Sequence, residues 1–152
     1  MNVLTLEQFV KHFQGHRRLT IRTIEAFPED QLFSFKAESM RTFGDLAGEI
    51  LLVERYTLSG IITGHWVWQT PEPVASKQAL LSAFDVQAKE SPGLFGQLTG
   101  ERLAAVEKDE FGHTSANRDR LLYMVDNEIH HRAQGYVYLR LLGLAPPAFW
   151  ER

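Results

Sequence analysis

NEIHHRAQGYVYLRLLG, residues 127–143, reads as the C-terminal half of a long helix, and the rest of the fold is organised around it. Upstream and through it, Leu121, Leu122, Val125, Ile129, Tyr136, Val137, Leu139 and Leu142 recur at helical spacing. Ser115 stands where an N-cap is expected, Gly143 closes the C-terminus, and Pro146-Pro147 follows. Two adjacent histidines inside this segment pose the functional question: a metal-binding face, or only a polar side.

Three further helical segments lie N-terminal to it. The first begins at Thr5, with Gln8 three residues on as a capping-box partner, and carries Leu6, Phe9, Val10, Phe13, Ile21, Ile24 and Phe27 until Pro28 stops it. The second runs from Thr42 or Phe43 to Ile62, and its apolar residues cover more than one face, so it should be largely buried. The third follows Pro71-Glu72-Pro73, is capped by Ser76 and carries Leu80, Leu81, Phe84 and Val86; Ser91-Pro92-Gly93 either kinks or ends it before 94–98. Segment 101–114 and the patch His65-Trp66-Val67-Trp68 read as irregular connections. The fold class is therefore all-α, a four-helix bundle with irregular connections, whose sites are built from side chains facing inward. With no repeat or low-complexity tract, residues 1–152 form one domain.

A chain of 152 residues buries roughly 70% of its unfolded surface, enough for a real core. It has no cysteine, which removes disulfides, thiolate ligands and cysteine nucleophiles and suits the cytoplasm. The N-terminus has no signal-like pattern, and no apolar run approaches the roughly 18 residues of a membrane span. With 16 Lys+Arg against 19 Asp+Glu and no basic block beyond Arg17-Arg18, nucleic acid is not an expected partner.

Asn127 and His131 are four apart and share a helix face, with Tyr123, His130, Gln134 and Tyr138 close to that line. An asparagine amide is a weak ligand beside imidazole, and His130 points about 100° away from His131. On spacing alone, His131 and Gln134 read as satisfied polar residues of a bundle-facing stripe, and Arg132 as a surface ion-pair partner of Glu128, worth a few tenths of a kcal/mol. In the second helix Glu49 and Glu54 sit among apolar neighbours, so each must meet a cation or a donor, be protonated, or reach solvent. His12 and His113 read as surface residues, and His65 as part of a packed cluster or pocket rim. The tryptophans beside His65 read as a substrate entrance, a core cluster or a dimer contact.

The ending quoted above, with the following Ala-Pro-Pro, resembles the last helix of the DinB/YfiT-like family, whose usual pattern is His-x-x-x-His-Arg-Gly-Gln, then Tyr-Leu-Arg and Gly-x-x-Pro-Pro. RTFGDLAGEILLVERY, residues 41–56, is similar to the second helix of that family. The resemblance implies a DinB-like four-helix bundle over most of the chain and places the family's metal ligands on Glu49, Asn127 and His131. Ala133 takes the place of a glycine, a small-for-small change expected to let helices pack closely. Further implications are one divalent metal (nickel, zinc or manganese) or none, a homodimer, and a stress-response role. Three arrangements stay open: a metal held by Glu49, His131 and an added group such as His16, with Asn127 assisting; a Glu49–His131 pair bridged by Asn127 in a pocket without metal; or no convergence. Gln134 and Tyr138 would help line the pocket. The corresponding functions are metal-dependent chemistry on a small molecule, of thiol-transferase or hydrolase type, or non-catalytic small-ligand binding.

Overall fold

The computed structural model describes residues 4–70, 74 and 76–152. Four long helices carry the fold: α1 (Leu6–Ala26), α2 (Phe43–Thr63), α3 (Lys77–Phe95) and, after a short helix α4 (Gly100–Ala104) and a ribbon of β1 (Val106–Lys108) and β2 (Thr114–Ala116), α5 (Asn117–Leu141). Helix α1 packs on α5, α5 on α2, α2 on α3 and α3 back on α1, so the long helices close a ring. No helix among the described residues is long and apolar enough to cross a membrane.

Local chemistry explains most boundaries. The capping box at Thr5 and Gln8 forms in both directions, at 2.9 and 3.2 Å, and the chain leaves α1 at Phe27 before Pro28. Thr42 caps α2, and Gly64, at φ 73°, ends it in the left-handed conformation that glycine adopts without steric cost. Ser76 caps α3. The expected start signal Pro71-Glu72-Pro73 lies outside the described residues. Helix α3 continues through Pro92 to Phe95, because the buried Ser91 and Phe95 on either side anchor it to the core. At the far end Gly143, at φ 77°, closes α5: its N–H reaches the Arg140 carbonyl at 3.0 Å, and that of Leu144 reaches the Leu139 carbonyl at 2.8 Å.

Two expectations fail at the start of α5. Ser115 does not cap it; Ala116 occupies that position with no side-chain bond, and Ser115 pairs with Glu107 in the ribbon. Segment 101–114, expected to be irregular, instead forms α4 and most of the ribbon, whose turn is held by Asp109 Oδ1 accepting from the backbone of Phe111 and His113 at 3.0 and 2.9 Å. Three-residue strands are too short to display alternation.

The core has two apolar halves. One gathers Phe27, Phe43, Leu46, Ile50, Phe84 and Tyr138, the other Phe9, Phe13, Leu58, Ile61, Phe95 and Met124. On every long helix buried polar residues lie in the stretch between these halves: Arg17 and Thr20, Glu54, Gln87 and Ser91, Glu128 and Arg132. Arg17 reaches Glu54 at 2.9 Å and Glu128 at 3.1 Å, and Thr20 donates to Glu128 at 2.6 Å. Glu54 also accepts from Gln87 and Ser91. The expected surface pair of Glu128 and Arg132 is thus corrected: both are buried, Glu128 belongs to Arg17, and Arg132 donates to the carbonyl of His16 and to Thr20, each at 3.2 Å.

Close packing of α5 on α2 rests on Gly135, since Ala133 is exposed. A Cβ on Gly135 would stand 2.5 Å from the ring of the fully buried Phe43. Gly135→Ala is expected to destabilise the protein by about 1–3 kcal/mol through overpacking, read as a lower urea midpoint, whereas a Gly48→Ala control, with open space at its Cβ, should not.

Candidate functional site

Glu49 on α2 and His131 on α5 meet across the seam between those helices, Oε1 to Nε2 at 2.9 Å. Asn127, one turn before His131, places its amide nitrogen 3.1 Å from the same Nε2 and 3.5 Å from the same Oε1. The other Glu49 oxygen accepts a hydrogen bond from the Arg41 guanidinium. His131 is 5% exposed, while the Glu49 side chain keeps 24% of its surface open.

Protonation follows from these partners. Burial pushes the Glu49 carboxyl up, but the hydrogen bonds from Arg41 and His131 outweigh it and hold the group below its ordinary range, so it is an anion at neutral pH. Burial pushes His131 down, helped by Arg41 and His130, against the opposing pull of Glu49. His131 is therefore neutral at pH 7. An anionic carboxylate fixes its proton on Nε2, leaving Nδ1 as a lone pair, so the Asn127 amide nitrogen donates to Glu49 Oε1 and not to the ring. That Nδ1 is buried without a partner, as is Asn127 Oδ1.

Glu49 also lines a cavity of about 540 Å³. Its walls are aromatic: the Tyr56 ring lies 5.3 Å from Trp66, 5.5 Å from Trp68 and 6.0 Å from Phe111, the last supplied by the ribbon turn. Behind Trp66 the Arg120 guanidinium stacks at 4.3 Å and pairs with Asp109 at 2.7 Å, which ties the ribbon to α5. The Tyr56 hydroxyl is buried with no partner; burial, then Asp109 and Glu110, push it up to about 12, so it stays a neutral phenol.

The structure thus brings Glu49, Asn127 and His131 together and leaves other expected members apart. His16 does not join them, because both of its ring nitrogens face arginines, Arg132 at 3.0 Å and Arg152 at 2.9 Å, elsewhere on the molecule. Gln134 turns outward to the exposed His130 at 2.9 Å, and His130 and His131 diverge as helical geometry requires. Tyr138 is buried beside the cluster, its hydroxyl donating to the Arg41 carbonyl at 3.0 Å. His12, His65 and His113 are exposed. Arg41 was not foreseen, and no helical spacing flags it, since it lies just outside α2. Arg17 stands in a basic pair with Arg18, but its spacing from Phe13, Thr20 and Ile24 places it on the apolar stripe of α1.

For a divalent ion the spacing suits better than the chemistry. Glu49 Oε1 and His131 Nε2, 2.9 Å apart, come close to the roughly 3.0–3.4 Å edges of a coordination shell with bonds of about 2.1 Å. The donors, however, are one imidazole, one neutral amide and a carboxylate already divided between an imidazole and a guanidinium. Such a set does not fit a tightly held transition metal.

Helical ring and cavity together define a class of protein in which a carboxylate, paired with an imidazole across a helix seam, opens onto a largely apolar cavity. The chain belongs to the DinB family, which matches residues 1–152. No curated relative matches it. Among solved structures it is similar to a DinB-like protein from Bacillus subtilis (26% identity, TM-score 0.79, 95% of this chain and 99% of that one). A DinB-like protein from Bacillus cereus ATCC 10987 shares the fold (22% identity, TM-score 0.76, 93% and 95% coverage).

Proposed function

We propose that this chain is a DinB-like four-helix bundle that binds a small molecule without a resident metal. In it the Arg41–Glu49–His131–Asn127 cluster stands in the place of a metal triad and forms the polar end of the aromatic cavity. The observation that carries this reading is the Arg41 guanidinium on the Glu49 oxygen that His131 leaves open. It supplies, next to the carboxylate, the positive charge that a divalent ion would otherwise bring. A cavity of this size, with mostly aromatic walls and a few convergent polar groups, suits a flat, largely apolar ligand. One polar group of that ligand would reach Glu49 and the free Tyr56 hydroxyl.

The same reading makes turnover through a metal-bound nucleophile unnecessary and leaves His131 as an orienting group, its proton committed to Glu49. We also propose a homodimer, on the exposed apolar residues Leu141, Leu144, Phe149 and Trp150 at the C-terminal end, to be measured by light scattering.

Metal analysis and titration with nickel, zinc and manganese test the central point. Untagged protein should take up no stoichiometric ion at tens of micromolar metal, a range in which His-rich sites fill. Arg41→Ala combined with Asn127→His, which restores a second imidazole and frees the carboxylate, should bind one ion per chain about 100-fold more tightly than the parent. One tightly bound ion in the parent would overturn the reading.

A further inference from the structure

A second cavity, of about 420 Å³, lies against α1, far in character from the aromatic one. Gln8, Lys11, His12, Gly15, Arg18 and Arg152 line it, and no acidic side chain does. Arg152 crosses directly over Gly15, whose missing side chain makes room: a Cβ there would lie 3.2 Å from that of Arg152. Glu151, next to Arg152 in sequence, pairs with Arg22 at 3.5 Å, and Glu128 pairs with Arg17 at 3.1 Å.

At this corner His16, 4% exposed, has a hydrogen-bonding conflict. Its Nδ1 lies 3.0 Å from a nitrogen of Arg132, a guanidinium anchored in the core by the His16 carbonyl and Thr20. Its Nε2 lies 2.9 Å from a nitrogen of Arg152. A neutral imidazole has one acceptor and one donor nitrogen, and a guanidinium only donates. Arg132 is fixed, so Nδ1 accepts from it and Nε2 carries the proton. The Nε2–H then faces an Arg152 N–H, donor against donor, and no acidic side chain lines the cavity to accept from either. Burial, Arg132, His12 and Arg152 all push His16 down, to about 4, so protonation does not relieve the conflict but deepens it.

We propose that this corner is a binding site for a phosphate-sized oxyanion, free or as the end group of a small metabolite. One oxygen would accept from His16 Nε2–H and Arg152 together, and Lys11 and Arg18 would close over the others. The requirement is for a compact anion and not a polyanion, because the basic groups surround one cavity on a chain of net charge −3.

The test is calorimetric titration of the whole chain with inorganic phosphate and with glycerol phosphate, at constant ionic strength set by chloride, with the His16 ring N–H followed by NMR. One anion per chain should bind saturably, and the His16 Nε2–H resonance should move with the same isotherm. Tighter binding of glycerol phosphate would identify a metabolite end group and equal binding the free ion; either supports the site. Arg152→Ala and the exposed pair Lys11→Ala with Arg18→Ala should each weaken binding about tenfold or more without loss of fold. Absence of saturation against the chloride background, or affinity unchanged in both variants, would overturn the proposal. So would an oligonucleotide that outcompetes phosphate with a steep salt dependence.

Discussion

Replacing Arg17 by methionine is expected to lower the free energy of unfolding by about 3–5 kcal/mol, the range for removing one partner of a buried ion pair. The guanidinium is shared between Glu54 at 2.9 Å and Glu128 at 3.1 Å, and it lies 5.0 Å from the ring centres of both Phe13 and Phe84. Methionine restores apolar volume against those rings, so the loss reports the two carboxylates left in a layer where both are at most 1% exposed. Domains of this kind have about 5–15 kcal/mol in all, so roughly a fifth or more of the stability is at stake. Urea unfolding should show a lower midpoint with an unchanged slope. Adding Glu54→Gln and Glu128→Gln to Arg17→Met should recover most of the loss, because neutral amides need no counter-charge and each keeps one oxygen that accepts, from Thr20 at position 128 and from Gln87 or Ser91 at position 54. A single variant within about 1 kcal/mol of the parent would show that the carboxylates tolerate the layer without the arginine.

The same layer shows where a sequence can be read and where it cannot. Periodicity located the long helices because each has an apolar stripe, and the caps at Thr5 and Ser76 marked starts that formed as expected. The need of Glu49 and Glu54 for partners was legible from their apolar neighbours alone; Glu49 meets Arg41 and His131, and Glu54 meets Arg17. His131 stood among the arrangements the family resemblance left open for Glu49, but Arg41 and Arg17 were not legible as partners, since cation and carboxylate come from different segments and only packing decides the match. Arg132 illustrates the opposite error. Its spacing from Glu128 fits a solvated helix pair, and only the approach of α1, with the His16 carbonyl and Thr20, turns that face inward. The ribbon was invisible for a third reason: its strands hold three residues each, and its stability comes from Asp109, Arg120 and Trp66 rather than from a pattern along the chain.

Stability is expected to fall steeply as the pH drops from 6.5 towards 4, and His16 is the principal cause. Its burial and the fields of Arg132, His12 and Arg152 push it down from 6.5 to about 4. Above pH 6.5 the imidazole is neutral in both the folded and the unfolded chain, and its contribution to stability is complete. Below that the unfolded chain takes up a proton that the folded chain refuses, so each pH unit removes about 1.4 kcal/mol until the folded group also titrates. The total for His16 is about 3 kcal/mol at pH 4. His131, also lowered, acts in the same direction from the same starting point. Glu49 behaves differently: its folded carboxyl is held below the ordinary 4.5, so its contribution persists to that pH and is lost only beneath it. The slope between pH 6.5 and 4.5 therefore belongs to the two histidines. His16→Gln keeps an acceptor for Arg132 and cannot titrate, so in phosphate-free buffer its stability should lie below the parent's at pH 7 and converge on it, or exceed it, near pH 4. Parallel curves for parent and variant across that interval would mean that His16 is protonated in the folded chain and that the two arginines flank an imidazolium.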